Sequence, residues 1–252
     1  MTVTSFLIVC PLLFLTGFVD SIGGGGGLIS LPAFLMAGLP PHAAIATNKL
    51  GACGGTILAT IRFIRNKCVS LKLAVPSVIA AIAGSSLGAN LSLMIDEEIL
   101  KYVLVFILPL SAAVVMNKKL FHDDGHDAIG HLDTRTFVTA IIAAFVIGGY
   151  DGFYGPGTGT FLIIAFTAFA NLSLKSANGQ AKVINSTTNV TALVVFLLNG
   201  QVNIPLGLAG CGCSMLGGYI GSGLALKNGS KIVKPIILLV LVLLFLKVFG
   251  VI

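Results

Sequence analysis

Charge is scarce in this chain. Of its 252 residues only 10% are Asp, Glu, Lys or Arg, against 56% apolar, where a soluble domain carries roughly a quarter charged residues. A mean hydropathy of +1.03 leaves too little polar surface to cover an apolar interior in water. That excludes a soluble enzyme, a nucleic-acid binder and a disordered chain as the main reading. A large polar loop is also missing, so a single membrane unit without an aqueous domain is expected. No Walker phosphate loop, H-E-x-x-H pair or nucleophile elbow occurs, so neither an enzyme nor a nucleotide-driven machine is expected. No Lys or Arg precedes the first apolar run, which argues against a cleaved signal peptide and for a retained first helix. The five cysteines form no framework. Cys211 and Cys213 make a C-x-C pair, but on a helix their thiols diverge by about 200°, which suits packing better than metal or redox chemistry.

What is present is a series of long apolar segments, at about 5–38, 42–63, 73–94, 99–116, 136–170, 176–198, 204–226 and 235–252. Six approach the roughly 20 residues that cross a hydrocarbon core. The segments at 5–38 and 136–170 are longer, and each is interrupted midway, by Gly23-Gly24-Gly25-Gly26-Gly27 and by Gly155-Pro156-Gly157-Thr158-Gly159. Such runs do not continue a helix cheaply. Each long segment therefore reads as two short helices joined by an irregular tip.

The two broken segments lie at matching places, which points to an internal repeat. A shift of about 133 residues superimposes Lys49 on Lys182, Gly84 on Gly217 and Gly88 on Gly221, and Asp20 matches Asp151 with a small gap. The expected organisation is repeat 1 at about 1–120, repeat 2 at about 134–252, and a polar connector at about 117–135. Basic residues switch loops between the halves: Arg62, Arg65, Lys67 and Lys72 in the first, Lys227, Lys231 and Lys234 in the second. The positive-inside rule is met if the repeats are inverted, each with a re-entrant Gly-broken hairpin plus three transmembrane helices. Loops 62–72, 117–135 and 227–234 then lie in the cytoplasm, and both termini lie outside. Gly84-x-x-x-Gly88 and Gly217-x-x-x-Gly221 are tight-packing motifs, read as packing within the bundle, with a homodimer left open.

Two constellations carry chemistry. Irregular backbone inside a membrane is tolerated only where protein or a water-filled cavity satisfies it, and a tip beside a helix N-terminus presents N–H donors to an anion. The candidate contacts are Gly24, Gly25, Gly26, Gly27, Gly155, Gly157, Thr158 and Gly159. The second constellation is Asp20, Lys49, Asp151 and Lys182, charges inside apolar segments that must face a cavity or a partner. Lys49, with its neighbour Asn48, and Lys182 are expected to hold an anion. Asp20 and Asp151 either carry a coupled ion or brace the tips, and purely structural Asp–Lys pairing is the bland alternative. Tyr150, Tyr154, Asn178, Gln180, Asn185 and Thr188 are supporting hydrogen-bonders, several of them simply satisfying backbone. His42, His122, His126 and His131 show no ligand spacing, so neither a metal nor another cofactor is expected.

Asp20-Ser21-Ile22 before the glycine run, Leu28-Ile29-Ser30-Leu31-Pro32, Ala46-Thr47-Asn48-Lys49-Leu50, and the stretch from Gly148 through Tyr150-Asp151-Gly152 to Gly159 resemble the TauE/SafE family of sulfite exporters. The resemblance covers essentially the whole chain. It implies a bacterial inner-membrane secondary transporter for a small sulfur-containing anion of the sulfite, thiosulfate or organosulfonate class, driven by an ion gradient or the membrane potential. A passive small-anion channel is a second reading, and a membrane redox protein using Cys211 and Cys213 a third.

Overall fold

The computed structural model describes residues 2–100, 102 and 132–228. The apolar segments expected at 99–116 and 235–252, and nearly all of the connector, lie outside the described residues. Within them the chain is all-α; besides a helical stretch at 97–100 it forms α1 (Val3–Gly23), α2 (Gly27–Met36), α3 (Pro41–Arg65), α4 (Leu71–Met94), α5 (Thr134–Phe153), α6 (Thr158–Ala168), α7 (Leu174–Leu198) and α8 (Ile204–Asn228). Of these, α1, α4, α5, α7 and α8 are long and apolar enough to cross a membrane. Helix α3 is as long as α7 but carries His42, Asn48 and Lys49, which lower its apolar character.

The glycine runs end α1 and α5 as the sequence requires, but the arms of each broken segment are unequal, not halves. α1 has 21 residues and α2 has 10; α5 has 20 and α6 has 11. Each short arm stops early because the backbone turns left-handed soon after it, at Gly38 (φ 89°) and Asn171 (φ 51°). Before α2 begins, the chain doubles back along α1: a Cβ on Gly26 would lie 2.7 Å from the Thr16 carbonyl oxygen. The far end of the loop closes too. Ser5 Oγ donates to the Ala37 carbonyl at 3.2 Å, and in the second segment Thr136 Oγ1 donates to that of Ala170 at 3.1 Å. Both segments are thus closed helical hairpins.

The fourth helix of each half packs in the other half. α8 lies against α1 and α3, and α4 against α5 and α7. Glycine makes this approach possible. A Cβ at Gly217 would sit 2.0 Å from the Phe14 carbonyl oxygen and one at Gly221 2.3 Å from that of Phe18. In the matching pair, Gly84 meets the Phe145 carbonyl oxygen at 2.1 Å and Gly88 that of Gly149 at 1.9 Å. Both small-residue motifs are therefore consumed inside the chain, where they let helix backbones touch. In each pair the residue numbers rise together, so α8 runs parallel to α1 and α4 parallel to α5.

The buried apolar side chains form two clusters. One gathers Ile22, Phe63, Leu73, Phe166, Leu172 and Leu174; the other Val9, Leu39, Ile45, Phe196 and Leu206. Each draws on both halves, so neither half has a core of its own. Between them lies a layer of buried polar residues including Asn48, Lys49, Asp151, Lys182 and Asn185. The outer surface is apolar: Leu71, Val75, Ile79, Leu87 and Leu91 form an exposed stripe along α4, at the spacing of one helix face. Such a stripe suits lipid and not water.

Gly217→Leu is expected to force α8 off α1 and lower the thermal unfolding midpoint in detergent, at a cost of at least about 1–3 kcal/mol. Gly212→Ala, where a Cβ meets nothing within 4 Å, should leave that midpoint unchanged or slightly raised.

Candidate functional site

The two hairpin tips meet, backbone on backbone. A Cβ on Gly24 (φ 77°) would lie 2.3 Å from the Thr160 amide nitrogen, and one on Gly159 2.8 Å from Gly24 Cα. Thr160 Oγ1 donates across the junction to the Gly23 carbonyl at 3.1 Å. Side chains at Gly24 and Gly159 would drive the tips apart. Their first requirement for glycine is this mutual contact.

The four buried charges pair, and they pair across the halves. Lys49 Nζ of α3 donates to the Asp151 carbonyl of α5 and lies 3.0 Å from Asp151 Oδ1. Lys182 Nζ of α7 donates to the Asp20 carbonyl of α1 and lies 3.4 Å from Asp20 Oδ2. Both lysines are almost fully buried, at 1% and 0% exposure. Each carboxylate also holds its own tip. Asp20 Oδ1 accepts from the Gly26 amide at 3.3 Å. Thr158 Oγ1 lies 2.8 Å from Asp151 Oδ1 and 2.7 Å from the Gly155 carbonyl oxygen, with one proton to share. Gly155 is held at φ 103°, and a Cβ there would fall 2.7 Å from Lys49 Nζ; any side chain would displace the ammonium.

Beside the junction is a polar cavity with about 20 Å³ of room for the centre of a water molecule, enough for roughly one water. Of the residues singled out from sequence, Asp20, Gly25, Gly27, Asn48, Lys49, Asp151, Gly155, Gly157, Thr158, Gly159 and Asn185 line it. Lys182, Gly24 and Gly26 do not. The last two are occupied within their own hairpin, their amides donating to the Asp20 carbonyl at 2.8 Å and to its Oδ1. The amides of Gly25, Gly27, Gly157 and Gly159 have no hydrogen-bond acceptor among the described residues. Three buried oxygens on the lining residues lack a donor: Thr16 Oγ1, Asn48 Oδ1 and Asp151 Oδ2.

Sequence reasoning missed Thr16, Thr56, Asn189 and Ser214, which also line the cavity. Helical spacing held the signal for three of them: Thr16 precedes Asp20 by four residues, Asn189 follows Asn185 by four, and Thr56 follows Asn48 by eight. Ser214 carried none; its hydroxyl reaches the site by donating to the Gly51 carbonyl at 2.6 Å. The supporting residues mostly satisfy backbone. Tyr150 donates to the Pro156 carbonyl at 2.6 Å, Asn178 to that of Ile22 at 2.8 Å, Gln180 to that of Ser70 at 3.0 Å and Thr188 to that of Asn185 at 3.1 Å. Tyr154 is fully buried, its hydroxyl without a partner. None of the five cysteines is in a disulfide, and none lines the cavity.

Broken helices that meet at buried charges beside a polar cavity, on a body of long apolar helices, define a multi-pass membrane protein of the transporter class. Residues 9–248 match the family described as Sulfite exporter TauE/SafE, and the chain belongs to that family. The probable membrane transporter protein YfcA of Escherichia coli strain K12 is 37% identical over 95% of this chain and 90% of its own length. A probable membrane transporter protein of Sinorhizobium is 37% identical over 98% of this chain and 92% of its own. One of Haemophilus influenzae is 35% identical over 90% and 87%. No solved structure matches. Family and relatives are described as transporters, not enzymes.

Removing one partner of a buried ion pair strands the other, a cost of about 3–5 kcal/mol. Lys182→Met should lower the unfolding midpoint in detergent by that measure, and the double variant Asp20→Asn/Lys182→Met should recover most of it. Equal losses in the single and double variants would show that the pair does not stabilise the fold.

Proposed function

We propose that this protein is a secondary transporter that carries a small sulfur oxyanion across the bacterial inner membrane by alternating access. The observation that carries the reading is the meeting of two hairpin tips whose Gly25, Gly27, Gly157 and Gly159 amides are unengaged beside the Lys49 ammonium. Amide donors, two adjacent helix N-termini and a cation together favour negative charge. The family description, sulfite exporter, supplies the class of anion.

The repeats are inverted in this reading, with the hairpins entering from opposite faces. Several contacts support it. The ends of each broken segment adjoin through Ser5–Ala37 and Thr136–Ala170, so each segment returns to the face it left. Since α4 starts away from the first hairpin's mouth and runs parallel to α5, the second mouth falls at the other end. A short arm of 10 or 11 residues spans about 15–17 Å, near half of a 30 Å hydrocarbon core, which puts the tips at the midplane. Charge then follows depth. Arg62, Arg65, Lys67, Lys72, Arg135, Lys175 and Lys227 gather at the end of the second mouth; Asp96, Glu97 and Glu98 sit at the first, without a described Lys or Arg. The positive-inside rule assigns the second mouth to the cytoplasm and the N-terminus to the outside.

The bodies that move are not the repeats themselves. α8 is packed with α1 and α3, and α4 with α5 and α7, so rocking takes place between α1–α3 with α8 and α5–α7 with α4. The cavity, with room for about one water, must widen to admit an oxyanion, which favours a carrier over a standing channel. The thiol reading gains no support, because Cys211 and Cys213 do not line the site.

In proteoliposomes, uptake of radiolabelled sulfite or thiosulfate should saturate and should accelerate when unlabelled anion is loaded inside. Uptake that neither saturates nor responds to internal anion overturns the carrier, and no uptake of any sulfur oxyanion overturns the function. A cysteine introduced at Lys67 should react with impermeant maleimide only from the cytoplasmic side, and one at Glu98 only from the outside. Labelling of both from one side would overturn the topology.

A further inference from the structure

The two halves agree in their contacts around the site, yet their carboxylates differ. Asp20 has both oxygens engaged, Oδ1 by the Gly26 amide at 3.3 Å and Oδ2 by Lys182 at 3.4 Å. Asp151 receives Lys49 and Thr158 on Oδ1 alone, while its Oδ2 is buried with no donor. An ionised oxygen buried without a hydrogen bond is costly, and a proton on that atom removes the charge that makes it so. The lysines differ in the same sense. Lys49 lines the cavity and Lys182 does not.

Resting on the transport reading above, we propose that Asp151 is the proton-carrying carboxylate of an anion–proton symporter, and that a proton on its Oδ2 releases Lys49 to pair with the transported anion. In the Asp20–Lys182 pair both carboxylate oxygens are engaged and the ammonium lies outside the cavity lining, and this pair is a fixed brace. The charged and titratable groups near Asp151 are Lys49 and Cys53 on α3, Asp20 on α1 in the same cavity lining, and Tyr150 and Tyr154 next to it in sequence; α6 adds the Thr158 hydroxyl, and α4, packed on α5, carries only Lys72, in its first turn. With no anion in the cavity, Lys49 pairs with Asp151; an entering anion competes for Lys49, and the proton on Oδ2 frees the ammonium to pair with it. One proton from the aqueous phase adds to Oδ2 on entry and leaves on exit. No bond in the anion breaks.

Thiosulfate suits the test, since it does not buffer near neutral pH. In proteoliposomes the native protein should move protons with thiosulfate in a fixed ratio. Asp151→Asn should cut that ratio to the background of protein-free liposomes, whereas Asp20→Asn should keep the ratio even where its rate falls. Infrared difference spectra of the detergent-purified native protein should gain a protonated carboxylic-acid C=O band on adding thiosulfate, and the band should survive Asp20→Asn. This measurement decides the matter should Asp151→Asn not insert. Thiosulfate flux without proton movement, coupling to a sodium gradient in place of protons, an unchanged ratio in Asp151→Asn, or a band lost with Asp20 would overturn the proposal and leave the transport reading intact. Absence of any sulfur-oxyanion flux in the native protein would overturn that reading, and this inference with it.

Discussion

The structure depends on an exchange of charge between its halves: each buried lysine reaches the aspartate of the other half's hairpin. An ion taken from water into an apolar interior costs several kcal/mol even after relaxation, and only a well-placed partner offsets it. Neither half holds its own partner, so neither can bury its hairpin alone. The same contact sets local detail. Lys49 occupies the space that any side chain on Gly155 would need, and Lys182 secures the carboxylate that holds the Gly26 amide.

Around this centre the fold is layered by polarity. Two apolar clusters, one toward each end, enclose a sheet of hydroxyls, amides and paired charges. Water is the cheapest partner for a polar group, and the surrounding apolar shell denies it. The polar layer therefore satisfies itself through side chain–backbone bonds such as Ser85 to the Thr188 carbonyl and Asn178 to that of Ile22. Among the described residues, three of the side-chain oxygens left unsatisfied, on Thr16, Asn48 and Asp151, belong to the cavity lining, while others, such as those of Tyr154 and Gln180, lie away from it. The glycine contacts of α4 and α8 lock each hairpin to a helix from the opposite half, which leaves the tips and the α3–α7 contact as junctions between the two mixed bundles.

Composition and pattern alone carried the membrane class, because a chain with so little charge has no means of covering itself in water. The two glycine breaks, the Asp and Lys set well inside apolar segments of each half and the packing motifs were legible for a similar reason: each is a local departure from apolar helix, costly unless something uses it. From those residues came both tips, all four charges and most of the cavity lining. Proximity was not legible. Which lysine meets which aspartate, that Gly25 and Gly27 face the cavity while Gly24 and Gly26 serve the hairpin, and that Ser214 joins the site from 163 residues beyond its partner Gly51 are outcomes of packing. The unequal arms also escaped, since they follow from how far the chain doubles back before α2 and α6 begin. Local sequence determines where a helix must stop and which groups need a partner, for those costs are paid within a few residues. Only the assembled bundle decides who that partner is, because the choice minimises buried charge over the whole chain at once.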